Sequence, residues 1–341
     1  MKIYNILVPG LDRQGPTILA MDLAYAAANN GYIVNVFYLK NKGNSFESHK
    51  NINFQKTSLY ILLLIKINLH SHCLFPDLIN SVLSIKEKIL GRSFVSISTV
   101  PSYIYFDLRY SYGKLTASFF WLLWKLITRF LQHKVLLSET MRRYYRRVDN
   151  NYSYDVIYHS RPKDINANNS RLESQVIRRL VYVGGLHGRK NIMPLVDHVA
   201  KSKSFTLDIF GVGEFQNKIE NICLNDAANI RYCGFSSDIS KELGSYDCLI
   251  LPSFAEGLPT VVVEAANLGL PCALSNIAVH RELEMLGVGA VFNHRNFNDF
   301  DEKIRQLTYT NEMRRQRWES NKHLFDFPLN FSKYRKLINE Q

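Results

Sequence analysis

Short apolar runs alternate with helix-period patterns along nearly the whole chain. In the first half "IYNILVP" reads as a buried strand, Pro16 to Asn30 as a helix, Gly31 as its stop signal and "YIVNVFYL" as the next strand. "IKINLHSH", "SFVSIST" and "HKVLLS" continue the strand series, with helical stretches between them. The polar, asparagine-rich stretch 150–175, which carries Pro162, breaks the pattern and reads as a link. A second series follows: "RLVYVGG", "FTLDIFG", "NIRYCG", "DCLILPS", "PCALSN" and "GAVFN". Strands that alternate with helices predict parallel sheets. At 341 residues the chain is too long for one ordinary core. The expected fold class is therefore α/β with two Rossmann-like parallel-sheet domains. Their boundaries fall at 1–158 and 176–325, with a linker at 159–175. A last helix, 326–341, is placed to pack back on the first domain. Sheets of this kind bind ligands beyond their strands' C-terminal ends, so a cleft between the two domains is expected.

Charge changes this picture in one half only. Residues 1–170 hold 21 Lys/Arg and 10 Asp/Glu, a balance of +11, whereas residues 171–341 hold 21 and 20, a balance of +1. A basic half points to an anionic partner. The charge peaks at "MRRYYRR", with Arg142, Arg143, Arg146 and Arg147, just after the aromatic run "FFWLLWKLITRF" with Trp121 and Trp124. Basic residues beside tryptophans suit an anionic membrane surface, while a buried helix followed by a solvated one is the plainer account. No nucleic-acid motif is visible, so nucleic acid is not an expected partner. The apolar stretches Leu59–Leu69 and Leu115–Leu131 are interrupted by Lys66, Lys125 and Arg129, too early for a membrane span. The start "MKIYNILVPG" lacks the features of a signal peptide. Five cysteines without C-x-x-C spacing argue against a disulfide framework or a zinc site and fit a reducing cytoplasm.

The chemistry gathers in the second half. Gly184-Gly185-Leu186-His187-Gly188-Arg189-Lys190-Asn191 leaves a strand and enters a helix. Glycines let backbone N–H groups approach an anion, and two cations follow, so the loop is either a diphosphate cradle or a tight turn with two solvated bases. It lacks P-loop spacing. Gly211 and Gly213 follow the next strand, but Gln216 stands where a dinucleotide fingerprint needs a third glycine. In "FAEGLPTVVVEAANLG", Glu256 falls in a loop and Glu264 about one turn into a helix capped by Thr260 and stopped by Gly269. A carboxylate buried without partners is costly. Either the hydroxyls of a sugar and ribose supply those partners, or neighbouring Arg and Lys do.

These motifs together resemble the donor half of GT-B retaining glycosyltransferases of family 4, over residues 178–310. The family's E-x7-E signature appears as Glu256 to Glu264, preceded by Leu251-Pro252-Ser253. Its "VG…KN" loop appears as Val183-Gly184 to Arg189-Lys190-Asn191, and "DIFGVGE" and "IRYCGF" occupy the usual places. The resemblance implies the GT-B fold, no metal ion and no further cofactor. It implies that Arg189 and Lys190 hold the donor diphosphate and act in catalysis, and that Glu264 binds the ribose. Glu256, with Gly257, Leu258, Pro259 and Thr260, would contact the transferred sugar. Gly184, Gly211, Gly213 and Phe235 complete the implied donor site. Gly185 departs from the common "GRL" loop, in which an arginine stands there.

The first half resembles the family less closely. Gly15 fits a glycine-rich loop facing the donor phosphate, but Gln14 replaces a second glycine. "LHSHCLFPDLI" resembles the family's "HSHG…D" strand end, which makes His72 a candidate catalytic residue or else a solvated loop histidine. Pro101 stands where many relatives carry a histidine near the reacting sugar, leaving Tyr103 and Asp107 as further candidates. The sole Asp-x-Asp, Asp299-Phe300-Asp301, suits a helix start rather than a metal site. The resemblance implies transfer of a hexose from a nucleotide sugar, with UDP-sugars favoured. The implied acceptor is a lipid-linked or lipopolysaccharide-type glycan at the inner face of a bacterial membrane. A non-catalytic GT-B subunit and a GT-B nucleotide-sugar epimerase stand as alternatives.

Overall fold

The computed structural model describes residues 2–339 apart from 13, 41–45, 66, 151, 160–175, 226–227, 237–238 and 310. The chain divides into two units, Met1–Pro162 with Asp326–Gln341, and Lys163–Phe325. The linker expected at 159–175 lies almost wholly outside the described residues.

The first unit is built on seven strands: β1 (Lys2–Gly10), β2 (Tyr32–Lys40), β3 (Ile52–Lys56), β4 (Leu69–His72), β5 (Ser96–Val100), β6 (His133–Leu136) and β7 (Asp155–Val156). They lie in the order β3-β2-β1-β4-β5-β6-β7, all parallel. β4 and β5 are buried at every position although His70, Ser71, His72, Ser96, Ser98 and Thr99 are polar, so this part of the sheet carries a polar core. β3 and β7 were not expected. β3 is a half-solvated strand at one edge, and β7 is two residues long within the polar stretch first read as linker.

The last helix, Phe327–Asn339, packs into this unit. Its Tyr334 ring lies 5.5 Å from the ring of His70, and Asn330 Nδ2 donates to the Tyr158 carbonyl at 2.7 Å. His70 bridges the Tyr4 hydroxyl (2.5 Å) and Thr99 Oγ1 (2.7 Å), so the helix seals a hydrogen-bonded polar core. Trp124 also belongs to the interior, not to an exposed face. Its indole N–H donates to Asp77 Oδ2 at 3.0 Å, and Asp77 also accepts from Ser71 Oγ at 2.7 Å. Burial raises the Asp77 carboxyl to about 7 despite these bonds.

The second unit carries β8 (Arg179–Val183), β9 (Thr206–Phe210), β10 (Ile230–Gly234), β11 (Cys248–Leu251), β12 (Cys272–Ser275) and β13 (Ala290–Phe292). Their order is β10-β9-β8-β11-β12-β13, again all parallel. Strand order reverses between β8 and β11, so the chain leaves these neighbours in opposite directions. At such a reversal α/β sheets take ligands beyond the strands' C-terminal ends. The Gly184–Asn191 loop leaves β8 and the Pro252–Pro259 loop leaves β11, so the fold alone brings both motifs to one place.

Candidate active site

The site in the second unit is assembled from three strand exits. The β8 and β9 exits are zipped by backbone bonds: Gly184 N to Phe210 O, Leu186 N to Val212 O and Phe215 N to Leu186 O, each at 3.0 Å. Glycine is required for this approach. A methyl added to Gly211, whose φ is +143°, would sit 1.9 Å from the Gly184 carbonyl oxygen, and one on Gly213 would sit 2.5 Å from the Leu186 carbonyl oxygen. Gly184 is tight as well, since its methyl would lie 3.0 Å from the Tyr182 hydroxyl.

The β8 and β11 exits are joined by charge. Lys190 Nζ donates to Glu256 Oε1 at 2.5 Å, and Arg189 Nη1 lies 3.7 Å from Glu256 Oε2 while donating to the Ala255 carbonyl at 2.7 Å. Phe254 N donates to the Arg189 carbonyl at 2.9 Å. Burial pushes the Glu256 carboxyl up, but the Lys190 ammonium and Arg189 guanidinium outweigh it and hold it at about 2. Glu256 is therefore ionised throughout the neutral range. Of the two readings of its burial, the structure supplies the basic partners, and these are the two residues the sequence marks as a diphosphate cradle.

Glu264 is buried on the helix Thr260–Asn267, where its Oε2 accepts from Ser240 Oγ at 3.4 Å. Thr260 is not the cap. Pro259 holds that position with extended backbone, Thr260 is the first helical residue, and no side chain caps the N-terminus. Proline cannot cap through a side chain, so the helix start keeps its uncapped N–H groups and partial positive charge. The helix forms through three valines because Val262 and Val263 are wholly buried; packing outweighs their weak propensity. Gly257, Leu258 and Pro259 are buried in the turn before it, whereas Phe235, just past β10, is exposed.

Sequence reasoning passed over Asn191. It sits in the left-handed region at φ +53°, and its Nδ2 donates to the Pro252 carbonyl (3.2 Å) and the His294 carbonyl (2.9 Å). It thus ties the exits of β8, β11 and β13 together. Asparagine tolerates this conformation better than most residues, which is the signal that marks it.

The first-unit candidates fare differently. His72 is not a solvated loop residue: it ends β4, is fully buried and has no hydrogen bond to either ring nitrogen among the described residues. Burial, reinforced by His159, lowers its pKa to about 3, which makes it a very weak base. The next residue, Cys73, holds φ +77° and ψ 166°, a region occupied almost only by glycine and costing about 1–3 kcal/mol. Tyr103 packs its ring against Tyr144 and Phe106, and Asp107 accepts from Ser102 Oγ. Gly15 opens the first helix, and a methyl there would meet no protein atom within 4 Å, so packing does not demand glycine.

Among the described residues no group of three or more His, Cys, Asp or Glu could hold a metal ion. Asp301 instead pairs with His198 at 2.9 Å. No described helix is long and apolar enough to cross a membrane.

Residues 163–324 match the family described as glycosyl transferases group 1. The chain is 25% identical over 299 residues to an O-antigen biosynthesis glycosyltransferase, WclY, of Escherichia coli, covering 83% of this chain and 82% of that one. Among solved structures it is similar to a sucrose-phosphate synthase from Thermosynechococcus elongatus (TM-score 0.79, 15% identity, all of both chains covered). It is equally similar to Anabaena Alr3699/HepE in complex with UDP-glucose (TM-score 0.79, 15% identity, all of both chains covered). At these identities the structural likeness establishes the GT-B fold.

Proposed function

We propose that this GT-B glycosyltransferase moves a hexose from a nucleotide sugar, a UDP-sugar in the favoured case, to a lipid-linked or lipopolysaccharide-type glycan. Transfer proceeds with retention of configuration and without a metal ion. The observation that carries this reading is the Arg189–Lys190–Glu256 cluster at the strand-order reversal. Arg189 and Lys190 hold the diphosphate, whose charge grows as the bond to the sugar C1 breaks. Cations fixed there stabilise the transition state more than the bound substrate. Glu256, ionised and already oriented by both cations, accepts hydroxyls of the sugar. The uncapped helix N-terminus behind Gly257–Pro259 adds positive potential. Glu264 accepts from the ribose, Phe235 offers apolar surface to the nucleoside, and the glycines at 184, 211 and 213 let the β8 and β9 exits close up into the loop that carries Arg189 and Lys190.

Same-face attack needs no protein base. The acceptor oxygen bonds to C1 as the diphosphate leaves with the electron pair, and the leaving diphosphate takes the acceptor's proton. A histidine as weakly basic as His72 is consistent with that route. The Escherichia coli relative's description supports surface-polysaccharide synthesis as the setting. The test is calorimetric. Glu264→Ala should weaken nucleotide-sugar binding about tenfold or more, as expected for losing a charged hydrogen bond, while the protein stays folded. Unchanged affinity would remove Glu264 from the donor site.

The membrane reading keeps its partner and the exposed Arg143, Arg146 and Arg147, but not its tryptophan: Trp124 is core, and Arg142 pairs with Glu139 at 2.7 Å. The helix Lys114–Ile127 instead exposes Leu115 (89%), Phe119 (63%), Leu122 (51%) and Leu126 (48%), a stripe at helical spacing within the strongly basic half. An anionic bilayer surface matches both the apolar stripe and the charge. In sedimentation with anionic vesicles the wild type should pellet, less so as salt rises. Leu115→Asp with Phe119→Asp should release it without changing donor binding. A double variant that still pellets would dismiss this stripe, and a wild type that never pellets would dismiss the membrane.

A further inference from the structure

We propose that His187 is a third donor-binding side chain, which takes up a proton as the nucleotide-sugar diphosphate enters and then donates a hydrogen bond to it. The proposal rests on the donor reading above and adds a residue and a proton to it.

The geometry starts at Gly185. A methyl built on that residue would lie 2.8 Å from both Cδ2 and Nε2 of His187. The imidazole therefore occupies the space that any side chain at 185 would need. Glycine at this position allows the histidine to fold over the loop rather than point away. The ring is partly buried, and neither nitrogen is hydrogen-bonded among the described residues, so it keeps a donor or acceptor to offer. The loop itself is fixed: the Leu186 backbone is bound on both sides by the β9 exit, and Gly188 N donates to Glu214 Oε1 at 2.9 Å.

Four charged groups act electrostatically on the ring. Arg189 and Lys190 come from its own loop, Glu256 from the β11 exit and Glu214 from the β9 exit. In the free protein, burial first and then the two cations lower the imidazole's affinity for a proton, and the carboxylates do not offset them. A diphosphate reverses that balance. It pairs with the cations and adds negative charge beside the ring, so the protonated form becomes favoured. By linkage, a proton taken up on binding means tighter binding at lower pH. The imidazolium N–H then donates to a phosphate oxygen, a charge-assisted bond.

The experiment is isothermal calorimetry of the full chain near neutral pH with UDP-glucose, UDP-galactose, GDP-mannose and ADP-glucose. The diphosphates of these ligands have no group that titrates near neutrality. The tightest binder is then titrated in two buffers of different ionisation heat, which reads protons exchanged. The wild type should take up a substantial fraction of a proton. His187→Gln should take up none and bind about tenfold more weakly near pH 6, with little difference near pH 8. Gly185→Ala, whose methyl evicts the ring but leaves the histidine in the chain, should also abolish uptake. Binding without uptake by the wild type, or equal uptake by His187→Gln, overturns the proposal and leaves the donor reading standing. If none of the four ligands binds, the donor reading falls and this one with it.

Discussion

Replacing Arg189 and Lys190 together by alanine is expected to lower sugar transfer about a thousandfold, with a smaller loss in donor affinity. Removing one fixed group that stabilises developing negative charge commonly costs a hundredfold or more, and two that act on the same diphosphate combine less than multiplicatively. The same change acts on the fold. Glu256 is buried, and its carboxyl stands at about 2 because Lys190 and Arg189 outweigh burial. A carboxyl held below its ordinary value of 4.5 adds stability above that value and loses it as the pH falls toward 2. Without the cations burial outweighs the one remaining lowering influence, the Ser253 side chain, so the folded-state pKa rises and the contribution at neutral pH turns from stabilising to destabilising. Adding Glu256→Gln should therefore recover most of the lost thermal stability and none of the transfer. Recovery of transfer in that triple variant would show that the cations serve only to neutralise Glu256.

The second large effect is expected at Gly211. Gly211→Ala places a methyl 1.9 Å from the Gly184 carbonyl oxygen, and neither partner is a flexible side-chain end. Backbone must move, and the moving piece is the zipped pair of β8 and β9 exits that aims Arg189 and Lys190. Overpacking against backbone, added to an unfavourable φ, should cost about 3 kcal/mol or more. Donor binding should fall below detection even where the protein remains folded. By contrast Gly15→Ala should be mild for stability, because nothing surrounds that position. A Gly211→Ala protein with wild-type stability and donor affinity would mean that the two loops do not share one rigid arrangement.

How much of this was legible beforehand depends on what each residue answers to. The six strands of the second unit were readable because parallel strands buried on both faces leave continuous apolar runs. The position of the two glutamates was readable because loop, proline and helix follow one another in sequence. Their partners were not. Lys190 and Glu256 are 66 residues apart, and only the adjacency of β8 and β11 brings them together. The sequence leaves the place of Trp124 open, between membrane interface and core, because its helix is apolar almost all round. Which side faces inward is decided by Asp77 on another helix, 47 residues away. The sequence also leaves His72 open between a candidate catalytic residue and a solvated loop histidine; its burial follows from ending β4, whose His70 and Ser71 hydrogen-bond within the core. β7 was hidden for a similar reason: two residues in a polar segment gain strand structure only from pairing with β6. Local pattern thus reaches elements and loops, while pairings across the sheet need the fold.

The central claim is that the second unit is built to hold a nucleotide sugar, and thermal unfolding with UDP-, GDP- and ADP-sugars tests it most directly. A ligand at about a hundred times its dissociation constant adds about 2.7 kcal/mol to the folded state. For a unit of this size that is a rise in Tm of about 5–10 °C. Such a rise is expected with at least one of these donors, and a rise about half as large or smaller is expected in Glu264→Ala at the same ligand concentration. A folded wild-type protein whose Tm stays fixed with every one of them at millimolar concentration would contradict the claim.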